Sequence, residues 1–225
     1  MKIPLFPLDL VLFPGAALPL HIFEDRYRQM VRECVDGNLA FGVVRARREG
    51  MAVIGCMAHI VAVTQEYPDG RFDILCQGKE RFEIEMLDDT RDFLQADVAL
   101  FHDRAPEMDM DMDMGMGMGR DGALDSTRLQ REQCAAMHFE LTHLAAEETG
   151  DGEPAAFPWL DLNASISFQL AAVIPSDLGF KQELLGLRSD AQRCERLIEF
   201  YSTVLPKLRR GALAVRSAAR TGMVM

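Results

Sequence analysis

Serine is missing from the first 125 residues, lysine occurs only at Lys2, Lys79, Lys181 and Lys207, and no two cysteines form a CxxC pair. The first absence removes a serine nucleophile from more than half of the chain. The second leaves little from which to build a Ser–Lys dyad. Each lysine lies in a charged or terminal setting rather than the apolar pocket that lowers an amine pKa. Lys181 is also five residues from Ser176, not at the one-turn spacing that sets helical side chains face to face. The five cysteines (Cys34, Cys56, Cys76, Cys134, Cys194) are odd in number and widely spaced. That pattern predicts reduced thiols in a cytoplasmic compartment instead of a disulfide framework. No run approaches the ~18 apolar residues of a membrane span. The apolar N-terminus does not read as a secretory signal, because Pro4, Pro7, Pro14 and Pro19 break its helix and Asp9 interrupts its core. Positive charge is also in deficit: 24 Lys and Arg stand against 35 Asp and Glu, a net charge of −11. Gripping phosphate backbones needs the opposite balance.

What is present changes character along the chain. From Met1 to about His102 the language is that of strands. In RFDILCQGKERFEIEM, Phe72, Ile74 and Cys76, then Phe82, Ile84 and Met86, alternate with polar residues, which puts one face on a core. MAVIGCMAHIVAVTQEY before it is apolar on both faces, as a central or barrel strand is. Pro68-Asp69-Gly70 joins the two as a turn, giving a long hairpin over 52–86 with a bulge or corner at Gly78. Residues 39–46 and 94–101 read as further strands. The spacing of Tyr27, Met30, Val31 and Cys34 predicts a helix over 24–35, stopped by Gly37 and Asn38.

MDMDMDMGMGMG (108–119) is low-complexity sequence and reads as a linker over 104–120. Its thioethers suit a soft metal poorly, since aspartates scatter them and no Cys or His anchors the run. Helical periodicity follows. Residues 125–148 place Leu129, Met137, Leu141 and Leu144 as core contacts, and 161–174 carry a stripe of Leu162, Ile166, Leu170, Val173 and Ile174 ended by Pro175. Ser176 can cap a short helix through Leu185. Ser189-x-x-Gln192 opens a last helix with Ala191, Cys194, Leu197, Ile198, Tyr201, Val204, Leu205 and Leu208 at helical spacing. The predicted fold class is α+β, with a strand half at 1–103, a bundle of about four helices at 121–210 and a basic tail at 211–225.

The order of motifs resembles a known family. PLFPLDLVLFPGAALPLHIFEDRYRQMV, then GVV at 42–44, IGCMAHIVAV at 54–63, DGRFDILCQGKERFEI at 69–84 and ELLGLRSDAQRCERLIEFY at 183–201 are similar to the Lon N-terminal domain. That domain is the substrate-recognition module of the ATP-dependent Lon protease. The resemblance covers most of 2–205, fails over the Met-rich run, and implies a PUA-like β-barrel followed by a helical bundle. It also implies the recognition part without the engine. No GxxxxGK[ST] loop is present, and GMGMGR lacks the Lys and the Ser/Thr that hold nucleotide phosphates.

No catalytic, cofactor or metal constellation assembles from the residues. Cys56 and His59, three apart on a strand, point to opposite faces. His138 and His143 do not share a helix face, which defeats a zinc site. Asp88-Asp89 and Glu147-Glu148 read as element ends. The resemblance instead implies binding of unfolded or extended protein segments, through an apolar groove or an open strand edge. Leu12, Phe13, Leu20, Phe23 and Tyr27 of the opening motif are the candidate lining. Arg26 and Arg81 are each candidates to pair with Glu24 and fasten the first helix. Two alternatives follow from the basic residues. One is docking of a partner protein through the last helix and the tail over 207–225. The other is RNA binding by a PUA-like barrel using Arg45, Arg47 and Arg48, which the net charge and the lack of interleaved aromatics in the tail oppose.

Overall fold

The computed structural model describes residues 1–48, 50–104, 120–149 and 165–222, with side chains in the last two stretches at 127–146 and 165–213. Among the described residues the chain is mixed α+β. It runs β1 (Lys2–Leu8), β2 (Ala17–Ile22), α1 (Asp25–Gly37), β3 (Phe41–Arg47), β4 (Gly50–Glu66), β5 (Phe72–Asp88), β6 (Gln95–Phe101), α2 (Arg120–Thr149), α3 (Ile166–Val173), α4 (Leu178–Gly186) and α5 (Asp190–Gly222). The Met-rich run at 108–119 and Leu162 lie outside the described residues. Two compact units form, and they do not follow chain order: Met1–Asp103 groups with Ala171–Arg188, and Arg104–Leu170 with Ser189–Met225. Helix α4, helical in its sequence character, thus belongs with the strands.

In the strand unit the sheet order is β2-β5-β4-β3-β1-β6, and β6 also pairs with β5. Among the described residues only β1 and β3 pair in parallel; the other ladders are antiparallel. Strand β5 is long enough to serve two partners, β2 along Phe72–Gln77 and β6 along Arg81–Asp88. Turn chemistry sets the entries to β2 and β5. Phe13-Pro14-Gly15-Ala16 closes with Ala16 N–H on the Phe13 carbonyl at 3.1 Å, and Gly15 takes φ +82°. Proline at the second position and a positive-φ glycine at the third make this a type II turn. At the hairpin tip Gly70 N–H bonds the Tyr67 carbonyl at 2.9 Å, and Gly70 also has φ +82°. Pro68 and Gly70 therefore play the parts their chemistry predicts.

Helix α1 buries Tyr27, Met30, Val31 and Cys34, the predicted face, in a core with Phe6, Phe41, Cys56, Ile74 and Cys76. Each such buried apolar side chain contributes about 1.5–3 kcal/mol. Asn38, with φ 48°, ends the helix by donating its N–H to the carbonyls of Cys34 and Val35. A second core gathers Ile3, Leu5, Val44, Met57, Ala96 and Val98 around Phe82. The Phe82 ring occupies the space that a Cβ would take at both Gly42 and Gly55, 2.6 and 2.5 Å from Phe82 Cζ. Strand β4 lies inside the sheet between β5 and β3, as its composition predicts, but it is not buried on both faces along its length. Only Gly55–Ala58 are buried, because the strand overhangs both cores, and Val53, Val61 and Val63 are exposed.

In the helical unit α2 and α5 run parallel, since partner numbers rise together along both: Arg131 with Asp190, His138 with Tyr201, Glu140 with Arg209. The buried face of α2 is Cys134, His138 and Leu141; Leu129, predicted as core, is exposed. The face lies elsewhere because a histidine and a thiol fill it. Along the next stretch Ile166, Leu170 and Ile174 are buried as predicted, but Val173 is exposed. The cap of α4 is Asp177, not Ser176: Asp177 Oδ1 accepts from Gly179 N–H at 2.7 Å and Phe180 N–H at 3.0 Å. A carboxylate outcompetes a hydroxyl for the helix N-terminus. Ser189 Oγ accepts from Gln192 N–H at the start of α5, as the capping box predicts.

Candidate functional site

The five opening-motif residues separate on folding. Leu12, Phe13 and Tyr27 are buried, so they serve the core rather than a groove. The type II turn folds Phe13 inward, and α1 carries Tyr27 onto Phe6 with ring centroids 4.2 Å apart. Leu20 is partly buried against the same core. Phe23 remains outside, 61% exposed, where β2 gives way to α1. Its ring stacks on His21 at 6.0 Å, and His21 meets Tyr67 edge-on at 5.8 Å, which makes an aromatic row at the surface. Asp73 sets the row's polar side, accepting from Tyr67 Oη at 2.7 Å and contacting His21 Nδ1 at 2.5 Å. Hydrogen bonds from His21 and Tyr67 hold the Asp73 carboxyl below its ordinary range.

Of the two proposed partners for Glu24, Arg26 forms the pair, with Nη2 2.8 Å from Glu24 Oε2 and its guanidinium over the Tyr27 ring. Arg81 does not join them. It is 3% exposed and points the other way, donating to the carbonyls of Leu185 and Leu187 and pairing with Asp103 at 2.6 Å. Its role is to hold the α4 segment on the strands, a bond with no signature in local sequence.

Two surface grooves use residues that composition placed inside the sheet. The larger, about 580 Å³, lies between the start of β4 and α4. Met51, Ala52, Val53 and Ile54 form its apolar wall, Gln182, Glu183 and Gly186 its helical side, and Arg47 one end. The β3–β4 register shifts between Val44 and Ala46, so β4 bulges here, and Val53 is 55% exposed. Gln182 Nε2 donates to the Ile54 carbonyl at 2.9 Å, which ties α4 to the bulge. A smaller groove of about 200 Å³ brings Val35 and Leu39 from the end of α1 beside Val61 and Val63. There β4 shifts register twice against β5, around Val61 and Thr64. Such bulges coil an edge and discourage strand addition.

The thiols of the strand unit are all buried. Burial pushes the thiols of Cys56 and Cys76 up to about 12, and that of Cys34 up to about 11. Thiols with such values are protonated near neutrality and are poor nucleophiles while the fold stays closed over them. His59 is exposed and 3.6 Å from Glu80, while Cys56 is buried. Lys181 corrects its reading as an ordinary charged lysine: burial lowers its pKa, and Nζ donates to the Ala172 carbonyl at 2.9 Å. Among the described residues no helix is long and apolar enough to cross a membrane.

Comparison with known proteins agrees with this architecture. The Lon protease of Parabacteroides distasonis is 34% identical over 114 residues, 47% of this chain and 14% of that protein. The Lon protease of Roseiflexus castenholzii is 34% identical over 111 residues, again 14% of its length. The chain thus spans a small part of these relatives. Among solved structures, a Lon N-terminal domain protein from Xanthomonas campestris superposes with a TM-score of 0.59 at 23% identity, over 88% of this chain and 98% of that one. The N-terminal domain of Mycobacterium avium complex Lon protease gives 0.57 at 15% identity, over 90% and 98%. The family model for the ATP-dependent protease La (LON) substrate-binding domain matches residues 2–202, so the chain belongs to the LON substrate-binding domain family.

Proposed function

We propose that this chain recognises extended or loosely folded protein segments and holds them without chemical change. The β4–α4 groove carries the reading: Met51, Ala52, Val53 and Ile54 line one side of a cleft of about 580 Å³, with Val53 more than half exposed. An exposed apolar cleft with polar ends suits side chains that a folded protein keeps inside. Phe23 and Leu20 form a second contact on the same unit. The strands make a barrel of the PUA-like kind, a reading supported by the β5–β6 ladder that links the two halves of the sheet. Five unbridged, buried cysteines support a cytoplasmic setting.

The test is fluorescence anisotropy with a labelled, reduced and alkylated protein that cannot refold. Micromolar binding is expected, and Val53→Asp weakens it about tenfold, the effect of a charge set in an apolar contact. Lack of binding by the wild-type chain rejects the function. Binding untouched by Val53→Asp rejects the groove.

A further inference from the structure

The helical unit contains a pair of thiols that recognition of peptides does not use. Cys134 on α2 and Cys194 on α5 are both fully buried. They lie in the parallel seam between Arg131–Asp190 and His138–Tyr201, contacts that fix the two helices in register on either side of them. Interpolating between those two contacts sets Cys194 opposite Cys134, and a hydrogen bond with the Cys194 thiol, together with burial, raises the pKa of Cys134. Cysteines facing each other across a packed helix pair are near the separation a disulfide needs.

We infer that Cys134 and Cys194 are a redox-sensitive staple that closes to a disulfide when the chain meets a peroxide or a low-molecular-weight disulfide. With hydrogen peroxide one thiolate attacks an oxygen, giving a sulfenic acid and water. The second thiolate then attacks that sulfur and releases a second water. Two thiols lose two electrons and two protons, and one peroxide becomes two waters. With a small disulfide the same bond forms by two exchange steps and releases two small thiols. Burial makes the reaction slow, since it waits for the helix pair to open. It also makes the product durable, because a buried bond is out of reach of reducing thiols. The closed form ties α2 to α5 across the chain from 134 to 194, the geometry in which a cross-link restricts the unfolded state.

The test treats the full chain with hydrogen peroxide or oxidised glutathione, alkylates remaining thiols after denaturation, and maps the peptides by mass spectrometry. A Cys134–Cys194 cross-link, reversed by a reductant, is expected. It is accompanied by a rise of about 5–10 °C in the Tm of the helical unit. Cys194→Ser abolishes both, the Tm of the treated variant being read against that of the same variant untreated. Five alkylated cysteines after treatment overturn the inference, and so does a bridge that uses Cys34, Cys56 or Cys76. Peptide binding is read separately, and its failure leaves this result untouched.

Discussion

Arg81 Nη1 donates to the main-chain carbonyl of Leu185 at 2.8 Å, across 104 residues of chain. The same guanidinium pairs with Asp103 and lies over the Phe101 ring at 4.6 Å. The α4 segment is thereby attached to β5 and β6 through one buried side chain. Arg81→Ala leaves Asp103 and two carbonyls without that donor, at a cost of about 3–4 kcal/mol in urea unfolding. Arg81→Lys keeps the charge but not the planar fork, and loses about 1–3 kcal/mol. A variant with wild-type stability contradicts the anchoring role.

Gly78 is the strictest backbone position in the strand unit. Its N–H bonds the Ala16 carbonyl and its own carbonyl accepts from Gly15, each at 2.9 Å. An added Cβ meets the Phe13 carbonyl oxygen at 2.2 Å, and this is backbone that cannot step aside. Gly78→Ala therefore destabilises by about 3 kcal/mol, read as a lower Tm, despite the conservative change.

The buried residues Tyr27, Met30, Val31 and Cys34 are legible because helical spacing alone selects the face of α1. The two turns are legible because Pro14-Gly15 and Pro68 with Gly70 admit few conformations. Arg81 is not legible. Alternation gives it the polar side of RFEI, and only partners a hundred residues away bury it. In α2 the apolar count favours Leu129, yet the seam takes His138 and Cys134, residues whose burial depends on Tyr201 and Cys194 opposite. The groove was hidden for a related reason. Val53, Val61 and Val63 read as the inside of a strand, and nothing local says that β4 outruns its neighbours.

His138 gives the helical unit a pH dependence. Its ring is 3.0 Å from Tyr201 Oη, and burial depresses its pKa below the ordinary 6.5. The unfolded chain then binds the proton more readily than the folded one. Stability from this group is complete above pH 6.5 and is lost as pH falls through the depressed folded value, with a slope of at most about 1.4 kcal/mol per pH unit. Asp190 adds its own loss only below its ordinary 3.8. Burial pushes its pKa up, but hydrogen bonds from Ser167 and Ser165 and the nearby Arg131 outweigh that and hold it low. Chemical denaturation between pH 7.5 and 5 isolates the histidine. The wild-type midpoint falls over that window, and the midpoint of His138→Gln stays flatter.

Phe23 separates binding from folding within the opening motif. It is 61% exposed, so Phe23→Ser removes little buried area and shifts the Tm by no more than about 2 °C. Phe13→Ala, by contrast, empties a fully buried site and costs about 3–5 kcal/mol. An exposed aromatic that stacks on His21 is the kind of anchor that carries binding energy when a partner covers it. Anisotropy with the unfolded probe should show Phe23→Ser weakened about three- to tenfold. Unchanged affinity in that variant, with Val53→Asp impaired, confines recognition to the β4–α4 groove and removes the aromatic row from the binding surface.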